Sequence, residues 1–159
     1  QPDPGEELLK KLVTERRLLR LLPRILIVGV GCRKGMKKER IEEMIERSLR
    51  EAKLDWRAVS CLASIDRKKE EEGICWLARK WAVPFLTFSA EQLEQIQESV
   101  EESAFVRQVT GTGNVCERAA LAGAGVGGRL VVRKRAENGV TVAVAQAEWD
   151  RQYGRRGVE

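Results

Sequence analysis

The stretch Ile25–Gly35 reads ILIVGVGCRKG. A run of apolar, mostly β-branched residues ends in Gly-Val-Gly, and Cys32, Arg33 and Lys34 follow before a helical pattern begins. This order predicts a buried strand that delivers a glycine-rich, positively charged loop to the start of a helix. Such a loop brings backbone N–H groups and cationic side chains close to an anionic ligand, although a tight strand-to-helix turn fits the same residues. We expect binding at the carboxyl end of this strand.

The spacing of the glycines argues against two common phosphate-binding loops. In the dinucleotide fingerprint the third glycine would stand at Lys34, and Gly35 comes one residue late. A Walker A loop would end in Gly-Lys-Ser/Thr, which this stretch lacks. Cys32 lies beside two cations near a helix start, where a thiol pKa can be lowered. Without an adjacent base, a small packed residue fits Cys32 as well.

Composition narrows the chemistry further. The 159 residues include 43% hydrophobic and 33% charged residues, with a net charge of +5 and a pI of about 9.2. This balance favours anionic partners such as phosphates, polycarboxylates or nucleic acid, although surplus surface arginine explains it equally well. The chain has no histidine, which excludes Ser-His and Cys-His nucleophiles and imidazole metal ligands. Proton transfer is left to carboxylates, Lys, Tyr, Cys or water.

The cysteines and the hydropathy pattern indicate a cellular location. Four scattered cysteines without a Cys-X-X-Cys motif predict reduced thiols in the cytoplasm and no metal site. The apolar stretch Leu18–Val30 is interrupted by Arg20, Pro23 and Arg24, so we expect no signal peptide. No apolar run is long enough to span a membrane. We predict a cytoplasmic protein with no membrane partner.

Alternating strand and helix patterns predict an α/β fold with a mixed, mainly parallel sheet flanked by helices and a closing C-terminal β-hairpin. Asn138-Gly139 is the predicted hairpin turn. Strands are predicted at 25–30, 59–64, 85–88, 130–135 and 140–146, and helices at 37–51, 70–81, from a Ser89 cap onward, around 99–109 and at 115–122, before a flexible glycine link over 123–128.

Three parts of the chain are predicted. Residues 1–24 form an N-terminal tail and an amphipathic helix that serves as a linker or arm. Residues 25–148 form the α/β domain, and residues 149–159 form a disordered tail.

Two further segments carry charged residues next to predicted strand or helix ends. The stretch from Ser64 reads SIDRKKEEEG, in which Lys68 could bind an anion while Glu71 positions water or holds Lys68. The stretch from Thr110 reads TGTGNVCERAA, a Gly/Thr loop that opens a helix with Glu117 in its first turn. Ordinary helix starts, with acidic residues favoured by the helix dipole, explain both segments without a ligand.

Five motifs in order, GVGCRKG, ASIDRKKEEEG, FSAEQL, VTGTGNVCERAAL and VVRKR…GVTVAVA, resemble the C-terminal domain of the cobalamin-biosynthesis protein CbiG, cobalt-precorrin 5A hydrolase, which also occurs alone as CobE. The resemblance covers about residues 25–146. It implies participation in the hydrolytic opening of the δ-lactone of cobalt-precorrin 5A, with release of acetaldehyde. The alternative to a part in this hydrolysis is a non-catalytic module that binds and hands over a corrinoid intermediate. A basic nucleic-acid-binding protein is a third reading.

The resemblance also implies roles for individual residues. Glu71 and Glu117 are candidate general bases, because lactone hydrolysis needs an activated water. The predicted binding residues for the anionic corrinoid lie on the family's loops and closing hairpin: Gly29, Gly31, Cys32, Arg33, Lys34, Gly35, Lys68, Gly111, Thr112 and Lys134. We expect no cofactor, since cobalt belongs to the substrate. Possible protein partners are other corrin-pathway enzymes or upstream hydrolase domains.

Overall fold

Strand β1 (Leu26–Cys32) lies at the centre of a five-stranded sheet in the computed structural model of the chain. The model describes residues 24–96 and 115–148, together with Gly5. Residues Leu26–Val30 are all buried, because apolar side chains alternate between two covered faces of the sheet. The predicted strand is therefore confirmed, and it continues two residues further, through Gly31 and Cys32.

The sheet has the order β3-β2-β1-β5-β4, with β2 (Val59–Ile65), β3 (Phe85–Phe88), β4 (Arg129–Glu137) and β5 (Val140–Gln146). Strand β1 pairs with β2 in parallel, as β2 does with β3. Strand β5 pairs antiparallel with both β1 and β4, so it alone runs against the other four strands. The mixed sheet and the closing hairpin are as predicted, and Asn138 and Gly139 form its turn with φ angles of 51° and 84°.

Four α-helices flank the sheet within the described residues: α1 (Lys38–Glu51), α2 (Glu72–Trp81), α3 (Ala90–Glu94) and α4 (Val115–Ala124). Short 3₁₀ turns cover Trp56–Ala58 and Asp66–Lys68. Helix α3 begins with the predicted capping box, in which Ser89 Oγ accepts a hydrogen bond from the Gln92 N–H and the Gln92 side chain accepts one from the Ser89 N–H. The predicted helices at 37–51 and 70–81 are confirmed to within two residues.

The two faces of the sheet pack differently. The α1–α2 face buries large residues, among them Ile41, Ile45 and Leu49 of α1 and Leu77 of α2. The α4 face buries mostly small residues, five of them alanines, and its core members are Ile27, Cys61, Ala63, Leu93, Ala119, Ala120, Leu121, Ala145 and Ala147. Because alanine side chains are short, α4 packs close to the strands beneath it.

Two glycines make this close approach possible. A Cβ atom on Gly29 would collide with the carbonyl oxygen of Cys116 and lie 3.0 Å from the backbone nitrogen of Ala120. A Cβ atom on Gly123 would lie 2.8 Å from Cγ2 of Ile27. The prediction that 123–128 is a flexible link is therefore wrong at its start. Helix α4 continues through Gly123 to Ala124, because the missing side chain lets the helix pack on β1.

Strand β4 lies at one edge of the sheet and its register slips twice, between Leu130 and Val132 and between Val132 and Arg135. Residues two apart in a regular strand share a face. Here, however, Leu130 packs with the α4 face and Val132 with the α1–α2 face. After the second slip Arg135 pairs with Glu51 of α1 at 2.7 Å. The irregular register thus places Arg135 on the α1–α2 side of the sheet.

Several predictions fall outside the described residues. They are the amphipathic helix within residues 1–24, the helix at 99–109, the Gly/Thr loop over 110–114 and the tail 149–159. No helix among the described residues is long and apolar enough to cross a membrane.

Candidate functional site

A cleft of about 540 Å³ opens at the carboxyl ends of β1 and β2. Four parts of the fold line it: the end of β1 and its loop (Gly31, Cys32, Arg33), the end of β2 and its 3₁₀ turn (Ser64, Ile65, Arg67, Lys68), the start of α4 (Val115, Cys116), and the hairpin of β4 and β5 (Lys134 and 136–141). Parallel strands place their carboxyl ends at one edge of a sheet, which is where α/β folds bind ligands.

Positive charge dominates the cleft wall. Arg33, Arg67, Lys68 and Lys134 line it, and Glu137 is the one carboxylate that the described part of the chain contributes to the wall. Glu137 forms an ion pair with Arg47 of α1, on the far side of the hairpin. This pairing offsets its negative charge, so the wall presents a net excess of guanidinium and ammonium groups to an incoming ligand. Such groups make charge-assisted hydrogen bonds with carboxylates.

The loop after β1 is fixed to the structure on both sides. The Arg33 N–H donates to the Gly139 carbonyl oxygen at 3.0 Å, which joins the loop to the hairpin turn. Gly35 adopts a φ of 77°, a left-handed conformation that favours glycine. Its N–H donates to Oε2 of Glu71 at 3.0 Å. The backbone group that the sequence predicted for ligand binding thus binds a carboxylate of the protein itself.

Glu71 lies behind the cleft wall, just before α2. Its Oε1 atom is 3.7 Å from Nζ of Lys68, and its side chain is 9% exposed against 18% for Lys68. Lys68 lines the cleft and Glu71 does not. Of the two roles that the sequence left open for Glu71, the structure contains the contact with Lys68 that one of them requires. Its role as a general base stays a prediction.

Glu117 occupies an analogous place behind Lys134. Its side chain is buried at 6% exposure in the first turn of α4. Its Oε2 accepts a hydrogen bond of 2.9 Å from the backbone N–H of Lys134, in the bulged part of the edge strand β4. Glu117 does not line the cleft, while Lys134 does. Its role as a base also stays a prediction.

Two cysteines, Cys32 and Cys116, are among the residues of the cleft wall, and both thiols are protonated at neutral pH. Burial, with a smaller effect of the Glu71 carboxylate, raises the pKa of Cys32 to about 11, although the Lys68 ammonium opposes the shift. Burial, followed by the charge of Glu117, raises the pKa of Cys116 to about 12. The hypothesis of a lowered Cys32 pKa is therefore wrong. The desolvation of a half-buried thiol at a strand end outweighs its cationic neighbours.

The structure brings together five of the predicted binding residues, Gly31, Cys32, Arg33, Lys68 and Lys134, on the wall of one cleft. Gly29 packs against α4 instead, and Lys34 and Gly35 do not line the cleft. Gly111 and Thr112 lie outside the described residues. These assignments as ligand contacts stay predictions.

Sequence reasoning missed several lining residues. Arg67 adds a fourth cation, and its place beside Lys68 was a signal for it. Thr141 and the Asn138–Gly139 turn enter the wall only through the antiparallel pairing of β5 with β1, and Cys116 enters it through the packing of α4 on β1. No local motif reveals either of these long-range contacts. Ser64 also lines the cleft, but its hydroxyl donates to the Val30 carbonyl oxygen at 2.7 Å. Among the described residues, no three Cys, Asp or Glu side chains are grouped as metal ligands.

Residues 26–145 match the protein family described as cobalamin synthesis G C-terminus. A cobalt-precorrin-5A hydrolase of Priestia megaterium is 34% identical over 129 residues, which cover 80% of this chain and 34% of that protein. The chain thus matches about a third of that hydrolase. Protein CobE of a Sinorhizobium species is 33% identical over 121 residues, covering 76% of this chain and 79% of that protein.

A solved structure agrees with these matches. The crystal structure of CobE, a protein from the cobalamin (vitamin B12) biosynthetic pathway, superposes with a TM-score of 0.68 and 32% identity. The superposition covers 80% of this chain and 93% of that one.

Proposed function

This chain belongs to the cobalamin synthesis G C-terminus family of cobalamin biosynthesis, and on that premise we propose that its cleft binds an anionic corrin-ring intermediate and takes part in opening the δ-lactone of cobalt-precorrin 5A. The observation that carries the proposal is the set of four cations, Arg33, Arg67, Lys68 and Lys134, on the wall of one cleft. Corrinoid intermediates carry acetate and propionate side chains, whose carboxylates match these groups.

The chemistry of the lactone step fits the same wall. Water adds to the lactone carbonyl, and negative charge develops on the carbonyl oxygen. The ring C–O bond then breaks to leave a carboxylic acid, and the departing oxygen takes up the proton that the water gives up. The Arg33 guanidinium and the Lys68 ammonium are suited to stabilise that charge, since both line the cleft at the carboxyl ends of the strands. Cobalt enters as part of the substrate, so the proposal adds no cofactor. The upstream domains of longer hydrolases and other corrin-pathway enzymes are the proposed protein partners, in the cytoplasm.

One observation favours a second candidate, a module that binds and hands over the intermediate without reacting. Both predicted bases, Glu71 and Glu117, lie behind the cleft and are engaged by Gly35 and Lys68 in one case and by the Lys134 backbone in the other. A carboxylate that activates water must reach the bound substrate, directly or through one water. A handover module needs only the four cations of the cleft wall to bind its ligand, and it needs no carboxylate base.

Titration of the purified chain with cobyrinic acid, followed by its visible spectrum, tests the binding. The control ligand is the fully methyl-esterified form, in which every carboxylate is neutral. We expect saturable binding of the acid, weakened at least tenfold by esterification and by Arg33→Ala. Equal affinity for acid and ester, or no binding of either, would contradict the proposal.

An acetaldehyde assay with cobalt-precorrin 5A then separates the two candidates. Acetaldehyde release by this chain alone assigns the lactone step to it. Binding without acetaldehyde supports the handover module, or a hydrolase that needs a further domain. Addition of the upstream domains of a relative distinguishes these last two outcomes.

A further inference from the structure

We propose that Glu71 is a positioning residue: its carboxylate holds the Lys68 ammonium at the cleft wall, and thereby sets the affinity of the cleft for carboxylate ligands. The inference rests on the proposed function for its ligand class. Of the two roles that the sequence leaves open for Glu71, the proposal takes the hold on Lys68 and not the activation of water as the base.

Three observations carry it. Glu71 does not line the cleft, whereas Lys68 does. The two oxygens of Glu71 have different partners, since Oε2 accepts the Gly35 N–H at 3.0 Å and Oε1 faces Lys68 Nζ at 3.7 Å. At 9% exposure the carboxylate has little access to solvent. One partly buried carboxylate thus connects the loop after β1 to the lysine after β2.

The arrangement has a physical rationale. A lysine side chain has four rotatable bonds and loses conformational entropy whenever it is immobilised by a ligand. A carboxylate that already restrains the ammonium reduces this cost on binding. A partly buried ion pair also interacts in a lower effective dielectric than one in water. Lys68 is therefore pre-organised to meet an anion, provided that Glu71 keeps its charge.

The proposal predicts that Glu71→Gln weakens the binding of an anion, which is the opposite of what the change in net charge alone would do. Glu71→Gln removes a negative charge near a cationic cleft, which by long-range electrostatics alone should tighten the binding of an anion. Loss of the hold on Lys68 should instead weaken it. We expect the dissociation constant for cobyrinic acid to rise three- to tenfold in Glu71→Gln. The exposed neighbour Glu70 supplies the matched control, since Glu70→Gln removes the same charge and should leave affinity unchanged or slightly tighter.

A double-mutant cycle shows whether Glu71 acts through Lys68. Lys68→Met should weaken binding at least as much as Glu71→Gln does, and Glu71→Gln should add little in the Lys68→Met background. Both variants should also reduce the salt dependence of binding, because each removes one effective cationic contact. A general folding defect would produce neither pattern, and circular dichroism of each variant checks the fold.

The thiol of Cys32 gives a readout that needs no ligand. The Lys68 ammonium lowers the pKa of Cys32, so Lys68→Met should slow alkylation of Cys32 at pH 8.5. If Glu71 holds Lys68 in place, this slowing should largely disappear in the Glu71→Gln background. Trypsin releases Cys32 in the peptide ILIVGVGCR, residues 25–33, so mass spectrometry can follow this thiol separately from the other three.

The outcomes are distinguishable. Absence of cobyrinic acid binding by the unmodified chain would overturn the proposed function. The alkylation rates of Cys32 in the two single variants and the double variant form a second cycle, which would still show whether Glu71 keeps Lys68 in place. Unchanged affinity in Glu71→Gln, or additive effects in both cycles, would overturn the positioning role. Full affinity with loss of acetaldehyde release in Glu71→Gln would overturn it in favour of the base.

Discussion

The two faces of the central sheet are covered by helices at different depths. On the α1–α2 face, large side chains such as Ile45 and Leu77 fill the space between helix and sheet. On the α4 face, Gly29 and alanines such as Ala120 let the helix backbone approach β1 directly. The cleft wall includes the first two residues of this closely packed helix, Val115 and Cys116. The two faces therefore have different roles. The α1–α2 face contributes most of the large buried side chains, and the α4 face fixes the start of α4 at the cleft.

The largest effect is expected where the backbones meet. Gly29→Ala forces α4 away from β1, because the new methyl group collides with the Cys116 carbonyl oxygen. We expect a loss of about 3 kcal/mol or more in the free energy of unfolding, measured by urea denaturation. Gly125→Ala is the control, since it has open space but a φ of 76°, and should cost about 1 kcal/mol. Equal costs for the two variants would show that close packing of α4 is unimportant.

The next effect concerns the carboxylate that joins α4 to the edge strand. Glu117→Ala leaves the Lys134 N–H without its present acceptor, and we expect a loss of about 2 kcal/mol in the free energy of unfolding. Glu117→Gln keeps an acceptor oxygen and should cost less than half as much. If Glu117→Ala were stable and yet inactive in acetaldehyde release, a catalytic role would be favoured over this supporting one.

The α1–α2 face should be more tolerant. Ile45→Val removes one methylene from a fully buried side chain, and we expect a loss of about 1 kcal/mol in the free energy of unfolding with no change in cobyrinic acid affinity. Both values come from denaturation and titration of the same preparation. A change in affinity would mean that packing on the α1–α2 face alters the cleft, and the two faces would then not have separate roles.

The smallest effect is a pH dependence on the α4 face. The folded-state pKa of Cys116 is about 12, raised from an ordinary value of 9.0, so the unfolded chain loses this proton first. The stabilisation is complete well below pH 9, begins to decline as the pH approaches 9, and is lost as the pH rises toward 12. From pH 7 to 9, unfolding free energy should fall by about 0.4 kcal/mol more in the unmodified chain than in Cys116→Ala. Parallel curves would contradict the raised pKa.

Local patterns in the sequence were sufficient to predict individual helices, caps and turns. Periodicity predicted the helix at 37–51, Ser89 predicted a cap, and Asn138-Gly139 predicted the hairpin turn. Each of these signals depends on residues a few positions apart. The order of the strands depends on long-range pairing, and the insertion of β5 between β1 and β4 leaves no such local signal.

The same limit explains the site. The motif that contains Gly29 and Gly35 predicts a ligand loop, but the two glycines serve different purposes: Gly29 admits α4, and Gly35 donates to Glu71. A glycine needed for close packing and one needed for ligand binding look alike in a sequence. Likewise, a glutamate three residues from a lysine is compatible with a general base and with a residue that positions the lysine side chain. Only the burial and the partners of Glu71 separate the two.

The protonated state of the cleft thiols has a consequence for a ligand that carries a transition metal. Thiolates are the sulfur species that coordinate metal ions, and with pKa values of about 11 and 12 for Cys32 and Cys116, only about one molecule in ten thousand or fewer would present a thiolate at neutral pH. Coordination of cobalt by either sulfur would first have to displace the thiol proton, at a free-energy cost that rises with these pKa values. A corrinoid in this cleft would therefore be held more readily by the carboxylates at its periphery than by its metal.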